Sequence, residues 1–130
     1  MEKINTDNNI VYKFNPQIYP IKLWIYIGTD ILKERFSNVS KFDKNDKARV
    51  DFVHDDIENL IGFLIRFENN NALNFEIIIH EAIHVVLSAY DYLGVLIDTK
   101  NQEHFCYFSG WVAKCCEEVI NDIKNKIKQL

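Results

Sequence analysis

The segment from residue 75 to residue 91 decides the fold: Phe75-Glu76-Ile77-Ile78-Ile79-His80-Glu81-Ala82-Ile83-His84-Val85-Val86-Leu87-Ser88-Ala89-Tyr90-Asp91. Its first residues have a strong β preference, but the apolar run continues beyond the length of an ordinary strand. The segment therefore predicts a buried α-helix over about residues 74–91. Because nearly every side of this helix is apolar, we expect it to pass through the centre of a domain.

The main polar groups of this helix form a recognisable pattern. His80-Glu81-Ala82-Ile83-His84 matches the HExxH motif of zinc hydrolases. Residues at i and i+4 of a helix lie on one face roughly 6 Å apart, so both imidazoles can bind one ion. Glu81, about 100° around the helix, is then the candidate general base. The alternative is a hydrogen-bonded network of buried histidine and glutamate without a metal.

Glu103 supplies a third candidate ligand. Eighteen residues separate it from His84, and its neighbours predict the first turn of a second long helix. This order of parts resembles the gluzincin branch of the zincin metallopeptidases, in which two motif histidines and a downstream glutamate bind zinc and water takes the fourth position. The resemblance implies that His80, His84 and Glu103 hold one zinc ion, that Glu81 is the base, and that peptide bonds are hydrolysed.

Other assignments of the polar residues stay open. Glu103 also suits a capping role, because Thr99 and Gln102 form a capping-box pattern before it. His104 is the fallback ligand. Tyr107, one turn beyond Glu103, is a second candidate catalytic residue that would orient a histidine or donate a hydrogen bond to an oxyanion, but it is equally compatible with the core. Weaker candidates for the third ligand are Asp91 and Asp98.

The remaining pattern predicts an α+β fold. We expect a strand over residues 18–28, a short helical segment over 29–36, a β-hairpin formed by residues 48–54 and 60–67, and a long helix over 101–127. The result is a small zincin-like fold, in which a twisted sheet of about three strands packs on the motif helix and the C-terminal helix. In zincins a sheet edge binds an extended substrate, so the resemblance implies a peptide or protein substrate along one strand of the hairpin.

Composition limits the number of domains and the partners. The chain has 130 residues, of which 48% are hydrophobic, enough for one domain spanning residues 1–130 with a loose terminus at 1–9. A net charge of −4 argues against general nucleic-acid binding. The polar N-terminus and the lack of a long apolar span predict a chain that stays in the cytoplasm or in a particle assembled there, without a membrane partner. Three cysteines, two of them adjacent, predict reduced thiols rather than disulfides.

A second resemblance concerns the origin of the chain. The segment Asn101-Gln102-Glu103-His104-Phe105-Cys106-Tyr107-Phe108-Ser109-Gly110-Trp111-Val112, together with the small size and the Asn, Ile and Lys content, resembles small uncharacterised zincin-like proteins of tailed bacteriophages and related mobile elements. It implies a virion or host-cytoplasm location. An alternative to the peptidase is therefore a non-catalytic zincin-fold module that binds a partner in a phage or host assembly.

Overall fold

A computed structural model describes residues 1–129 of the chain and has an α+β fold. Six strands come first, then a single 3₁₀ turn at Asn70–Ala72, then two helices. The strands are β1 (Glu2–Thr6), β2 (Asn9–Phe14), β3 (Lys22–Ile27), β4 (Phe36–Ser37), β5 (Ala48–Asp55) and β6 (Leu60–Phe67). The helices are α1 (Phe75–Leu93) and α2 (Glu103–Lys128). The chain divides into two compact units, a sheet unit of Met1–Leu73 and a helical unit that begins at Asn74.

The sheet unit is one curled, mixed sheet with strand order β1-β2-β3-β6-β5-β4. Neighbouring strands are antiparallel except β3 and β6, which run parallel from Lys22↔Gly62 to Ile27↔Phe67. A parallel pair needs a long connection, and here β4 and β5 lie in that connection. A core cluster is built on Trp24, whose ring meets Phe36 edge-on at 5.1 Å between centroids. The sequence predicts about three strands, whereas the sheet has six.

The N-terminal residues form a hairpin rather than the predicted loose terminus. Thr6 pairs with Asn9, so Asp7 and Asn8 are the two residues of the turn between β1 and β2. Their φ angles of 50° and 61° are those of a type I′ turn, which matches the twist of the strands that it joins. Asparagine and aspartate tolerate this left-handed region better than other side chains. The polar Asp-Asn pair is thus a turn signal, not evidence of a loose terminus.

The segment after β3 also differs from its prediction. Strand β3 is shorter than residues 18–28, and the short helix expected over 29–36 does not form. The carbonyls of Thr29 and Asp30 instead accept hydrogen bonds from the fully buried guanidinium of Arg66, at 3.1 and 3.2 Å. These carbonyls would otherwise be the first acceptors of a helix. A side chain from a distant strand therefore holds the start of this loop, and the segment forms only a single turn, in which the amides of Arg35 and Phe36 donate to the carbonyl of Leu32.

The hairpin and both long helices are confirmed. Strands β5 and β6 pair from Ala48↔Phe67 to Asp55↔Leu60. Helix α1 begins after Asn74, whose side chain accepts a hydrogen bond from the Ile77 amide at 3.1 Å. It ends at Gly94, which has the left-handed φ of 72° that a C-terminal glycine adopts readily. Among residues 1–129, no helix combines the length and apolar character needed to cross a membrane.

The expectation that α1 is buried on all sides is wrong. Six of its apolar residues are buried, whereas Phe75, Ile79 and Leu87 are 83%, 57% and 39% exposed. The sequence is apolar around most of the helix, but part of this apolar surface stays exposed in the fold. The buried apolar residues of α1 are Ile78, Ala82, Val85, Val86, Ala89 and Tyr90.

Candidate metal centre

The two motif histidines converge on the exposed side of α1. Their Nε2 atoms are 3.1 Å apart, and the ring centroids are separated by 4.7 Å with the planes at 73°. Both side chains are exposed. On a helix with 100° per residue, His80 and His84 lie almost opposite the buried side that contains Ala82 and Ala89. The two side chains therefore lie on the exposed side of α1. We call His80 and His84 the histidine ridge.

The separation of the two nitrogens fits one zinc ion. Zinc–nitrogen bonds of 2.0–2.1 Å at a tetrahedral angle place two imidazole nitrogens about 3.3 Å apart. The observed 3.1 Å is within a few tenths of an ångström of this value. Both nitrogens must present lone pairs to a metal, so the hydrogen bond between them is replaced when an ion binds. His80 and His84 thus fit as two ligands of one divalent transition metal.

Glu81 occupies a different environment from its neighbours. Its side chain is buried, with 6% exposure, although His80 and His84 are exposed. Its negative charge acts on the thiol of Cys116 in α2. Burial raises the pKa of Cys116 to about 12, and the charge of Glu81 adds to that rise. Glu81 is therefore buried close enough to α2 for its charge to act on Cys116, whereas the two histidines are exposed.

Contacts between the helices define the register of the helical unit. The ring of Tyr90 in α1 meets that of Phe105 in α2 at 5.8 Å, and Glu81 acts on Cys116. Lower numbers in α1 thus face higher numbers in α2, so the two helices are antiparallel. From His84 to Tyr90 is six residues, or about 9 Å along the axis, and Glu103 lies about 3 Å further on in α2. The backbone of Glu103 is therefore offset from that of His84 by about 12 Å along the axes of the two helices.

The predicted third ligand, Glu103, begins α2 and in this register faces the C-terminal part of α1. Among residues 1–129, no group of three or more His, Cys, Asp or Glu side chains is arranged to hold a metal ion. Glu103 begins α2 and is exposed, as is the fallback ligand His104. The assignment of Glu103 to the metal stays a prediction that its alanine variant tests.

Tyr107 is 75% exposed, so it is not a core residue. Its predicted catalytic role rests on the sequence pattern alone.

All three cysteines are free, as expected, and Cys115 and Cys116 are buried while Cys106 is exposed. Burial raises the pKa of both buried thiols, which keeps them protonated near neutral pH. They are not nucleophiles in this fold.

The strand order shows which of the two hairpin strands has a free edge for a substrate. Strand β6 is paired on both sides, with β3 and β5. Strand β5 pairs with β4 only at its end, where Phe36 and Ser37 meet Asp55 and His54. Within residues 1–129, the outer edge of β5 over residues 48–53 has no strand beside it. Of the two hairpin strands, only β5 offers backbone groups for an added strand.

His54 belongs to a polar network on the sheet unit rather than to the histidine ridge. Its Nδ1 lies 2.6 Å from a carboxylate oxygen of Asp56, and its Nε2 lies 2.7 Å from the side-chain oxygen of Asn59. Both partner oxygens are acceptors, so the ring donates from both nitrogens when it is protonated. The hydroxyl of Ser37 donates to the other Asp56 oxygen at 2.6 Å. The hydrogen bond to Asp56, and then the one to Asn59, raises the pKa of His54.

This network predicts a pH effect. The raised pKa of His54 means that its contribution to stability is complete below the ordinary histidine pKa of about 6.5 and is lost as pH rises through the higher folded value. In Asp56→Asn we expect the pKa of His54 to fall towards about 6.5. Proton NMR titration of the ring, assigned with His54→Gln, measures this. A wild-type pKa equal to that of Asp56→Asn would contradict the role of the carboxylate.

A second concave feature lies within the sheet unit. An open cleft of about 610 Å³ is formed by the β1–β2 turn and the loop that follows β3. The guanidinium of Arg66 donates hydrogen bonds to the carbonyls of Thr29 and Asp30, two residues of the cleft wall. Asp51 forms an ion pair with Arg66 at 3.0 Å. The lining residues are Asp7, Asn9, Thr29, Asp30, Ile31, Leu32, Lys33, Lys41 and Phe42. None of the predicted site residues lines it.

Comparison with known proteins gives no relative from which a function could be transferred. No protein-family model matches the chain, and neither a curated protein nor a solved structure matches it. The geometry of the histidine ridge and of its surroundings is therefore the basis for the functional proposal.

Proposed function

We propose that this protein is a metal-binding module in which His80 and His84 hold one divalent transition metal ion, with zinc the expected ion. The observation that carries the proposal is the 3.1 Å separation of their exposed Nε2 atoms. Imidazole is a good ligand for zinc, copper and nickel, whereas magnesium and calcium prefer oxygen ligands. The exposed position also lets an ion reach both nitrogens without unfolding any part of the helix.

A non-catalytic role is favoured by the position of Glu81. A general base must come within about 2.6–3.2 Å of the group from which it takes a proton. Glu81 is buried, whereas His80 and His84 are exposed, so the base and the two ligands of the motif differ in their access to solvent. In this proposal Glu81 is part of the packing between α1 and α2, and the metal serves binding or assembly.

The second candidate function is a zinc-dependent peptidase of the zincin type, and the presence of Glu81 directly after His80 on a confirmed helix favours it. Bound zinc would supply the polarisation of a scissile carbonyl and the acidification of a water. Glu81 would accept a proton from that water and return it to the leaving amine. Glu103 and Tyr107 would complete the site, and the substrate would be a peptide or protein.

The first experiment is the zinc content of protein equilibrated with zinc and then dialysed. We expect wild type to retain zinc, and His80→Ala and His84→Ala to lose affinity by on the order of 100-fold, since even outer-shell partners of a ligand contribute 10–100-fold. His54→Gln is the matched control, because it removes a histidine that is bonded to Asp56 and Asn59 in the sheet unit and leaves the histidine ridge intact. Equal zinc binding by wild type and His84→Ala would refute the proposal.

A second measurement separates the two candidate functions. Zinc-loaded wild type and Glu81→Gln are compared in a peptide-library cleavage assay, together with Glu103→Ala. Cleavage by wild type that disappears in Glu81→Gln, with zinc retained, would establish the peptidase. Zinc binding that is unaffected by Glu103→Ala, with no cleavage by wild type, would establish the metal-binding module.

A further inference from the structure

The histidine ridge offers a metal fewer ligands than it needs. Structural zinc sites in proteins are almost always four-coordinate. Helix α1 supplies two nitrogens, and no third His, Cys, Asp or Glu joins them among residues 1–129. Both imidazoles lie on the outermost ridge of the helix, where another molecule can approach the same ion. The missing ligands are therefore to be sought outside this chain.

The surface beside the pair is suited to a helix–helix contact. Ile79, Ile83 and Leu87 follow one another at intervals of four residues, so they form a row next to the row of His80 and His84. Ile79 and Leu87 are 57% and 39% exposed, and Ile83 is partly exposed. Rows at this spacing are the ridges that interlock when two helices pack. We call these three residues the apolar row.

From these features we infer that a second copy of this chain completes the site: one zinc ion is held by His80 and His84 of two copies, whose apolar rows pack together across a twofold axis. Two ligands from each copy give the four that zinc requires. A twofold interface uses the same patch on both subunits, and the ridge carries both the ligands and the apolar contact. The inference rests on the proposed metal binding, and a site with four protein ligands has the closed form of a structural centre.

The charge of α1 makes this association depend on the metal. The helix contains Glu76, Glu81 and Asp91 and has no lysine or arginine. Glu76 and Asp91 are exposed, so two copies brought face to face repel each other. A divalent cation at the contact offsets this repulsion as well as providing the bonds. We expect monomers in the absence of zinc and dimers in its presence.

Light scattering coupled to size-exclusion chromatography tests the inference on the full chain. In EDTA we expect the monomer mass of 15.4 kDa, and with zinc chloride a doubled mass that is reached at one zinc per two chains. Isothermal titration measures the same ratio independently. His84→Ala should show neither zinc binding nor a change in mass.

A surface variant separates the association from metal binding. In Ile79→Gln/Leu87→Gln both histidines remain, so we expect zinc binding to persist. The dissociation constant of the dimer should rise at least about tenfold above that of wild type. Ile127→Gln is the matched control, because it replaces an apolar residue that is 62% exposed on α2. Zinc bound at one ion per monomer without a change in mass, or an equal dimer in EDTA, would overturn the inference and leave the metal site standing. Failure of wild type to bind zinc would overturn both.

Discussion

Gly62→Ala is expected to lower the free energy of unfolding of the sheet unit by about 3 kcal/mol or more. Gly62 lies on β6 opposite Lys22 of the parallel neighbour β3. A Cβ atom added there would lie 2.0 Å from the carbonyl oxygen of Lys22 and 2.6 Å from its amide nitrogen. Both are backbone atoms, so the clash is relieved only by separating the two strands. Urea unfolding followed by circular dichroism measures the loss.

Gly110→Ala is the matched control for this substitution. Gly110 lies within α2, and apart from its chain neighbours and the backbone of its own helix no atom lies within 4 Å of the position that its Cβ would take. Alanine there removes the conformational cost of an interior helical glycine, so we expect a gain of roughly 0.5–1 kcal/mol. The two variants make the same chemical change with opposite expected signs. Unchanged stability in Gly62→Ala would contradict the close approach of β3 and β6.

Asp55→Ala is expected to destabilise the sheet unit by about 3–5 kcal/mol, because it breaks a buried ion pair from one side. Asp55 is completely buried, and Arg35 is 6% exposed. One Asp55 oxygen accepts hydrogen bonds from Arg35 at 3.0 and 2.7 Å, and the other accepts from the amides of Ile57 and Glu58 at 2.9 and 3.2 Å. Alanine leaves the guanidinium with only Glu58, at 2.8 Å, as its carboxylate partner.

Two further variants isolate the cause of this loss. Lys47→Ala removes an exposed ion pair with Glu68, whose atoms are 3.5 Å apart, and we expect a change of less than about 1 kcal/mol. Arg35→Met in the Asp55→Ala background removes the unpaired buried charge, so the double variant should recover part of the lost stability. Chemical denaturation of wild type, Asp55→Ala, Arg35→Met and the double variant gives the coupling energy. A double variant as unstable as the sum of its single variants would show that the ion pair is not the cause.

Local patterns predicted several parts of the fold because neighbouring residues carry their signals. The apolar run of α1 and the helical spacing of α2 depend on residues a few positions apart, and both helices are confirmed within about two residues. The β5–β6 hairpin is likewise confirmed, since its strands adjoin in sequence. The β1–β2 hairpin was missed because a polar, Asn-rich segment was interpreted as a loose terminus, although Asp7-Asn8 is a suitable two-residue turn.

Distant contacts decided the rest of the sheet. The parallel pairing of β3 with β6 joins segments about forty residues apart, and no local pattern encodes it. The same pairing brings Arg66 beneath the loop that follows β3, where its hydrogen bonds to Thr29 and Asp30 replace the expected helix. The periodicity of a sequence does not indicate which remote side chain will donate hydrogen bonds to those two carbonyls.

Some properties of the candidate metal centre likewise follow from the local sequence, and others follow only from the tertiary structure. The sequence by itself determined that His80 and His84 meet, because a spacing of four residues on a helix brings two side chains together wherever the helix lies. Only the tertiary structure decided that the pair faces solvent, that Glu81 is buried, and that Tyr90 of α1 meets Phe105 of α2. These properties depend on which side of α1 is covered and on the register between the two helices. Both are set by packing between residues that are far apart in the chain.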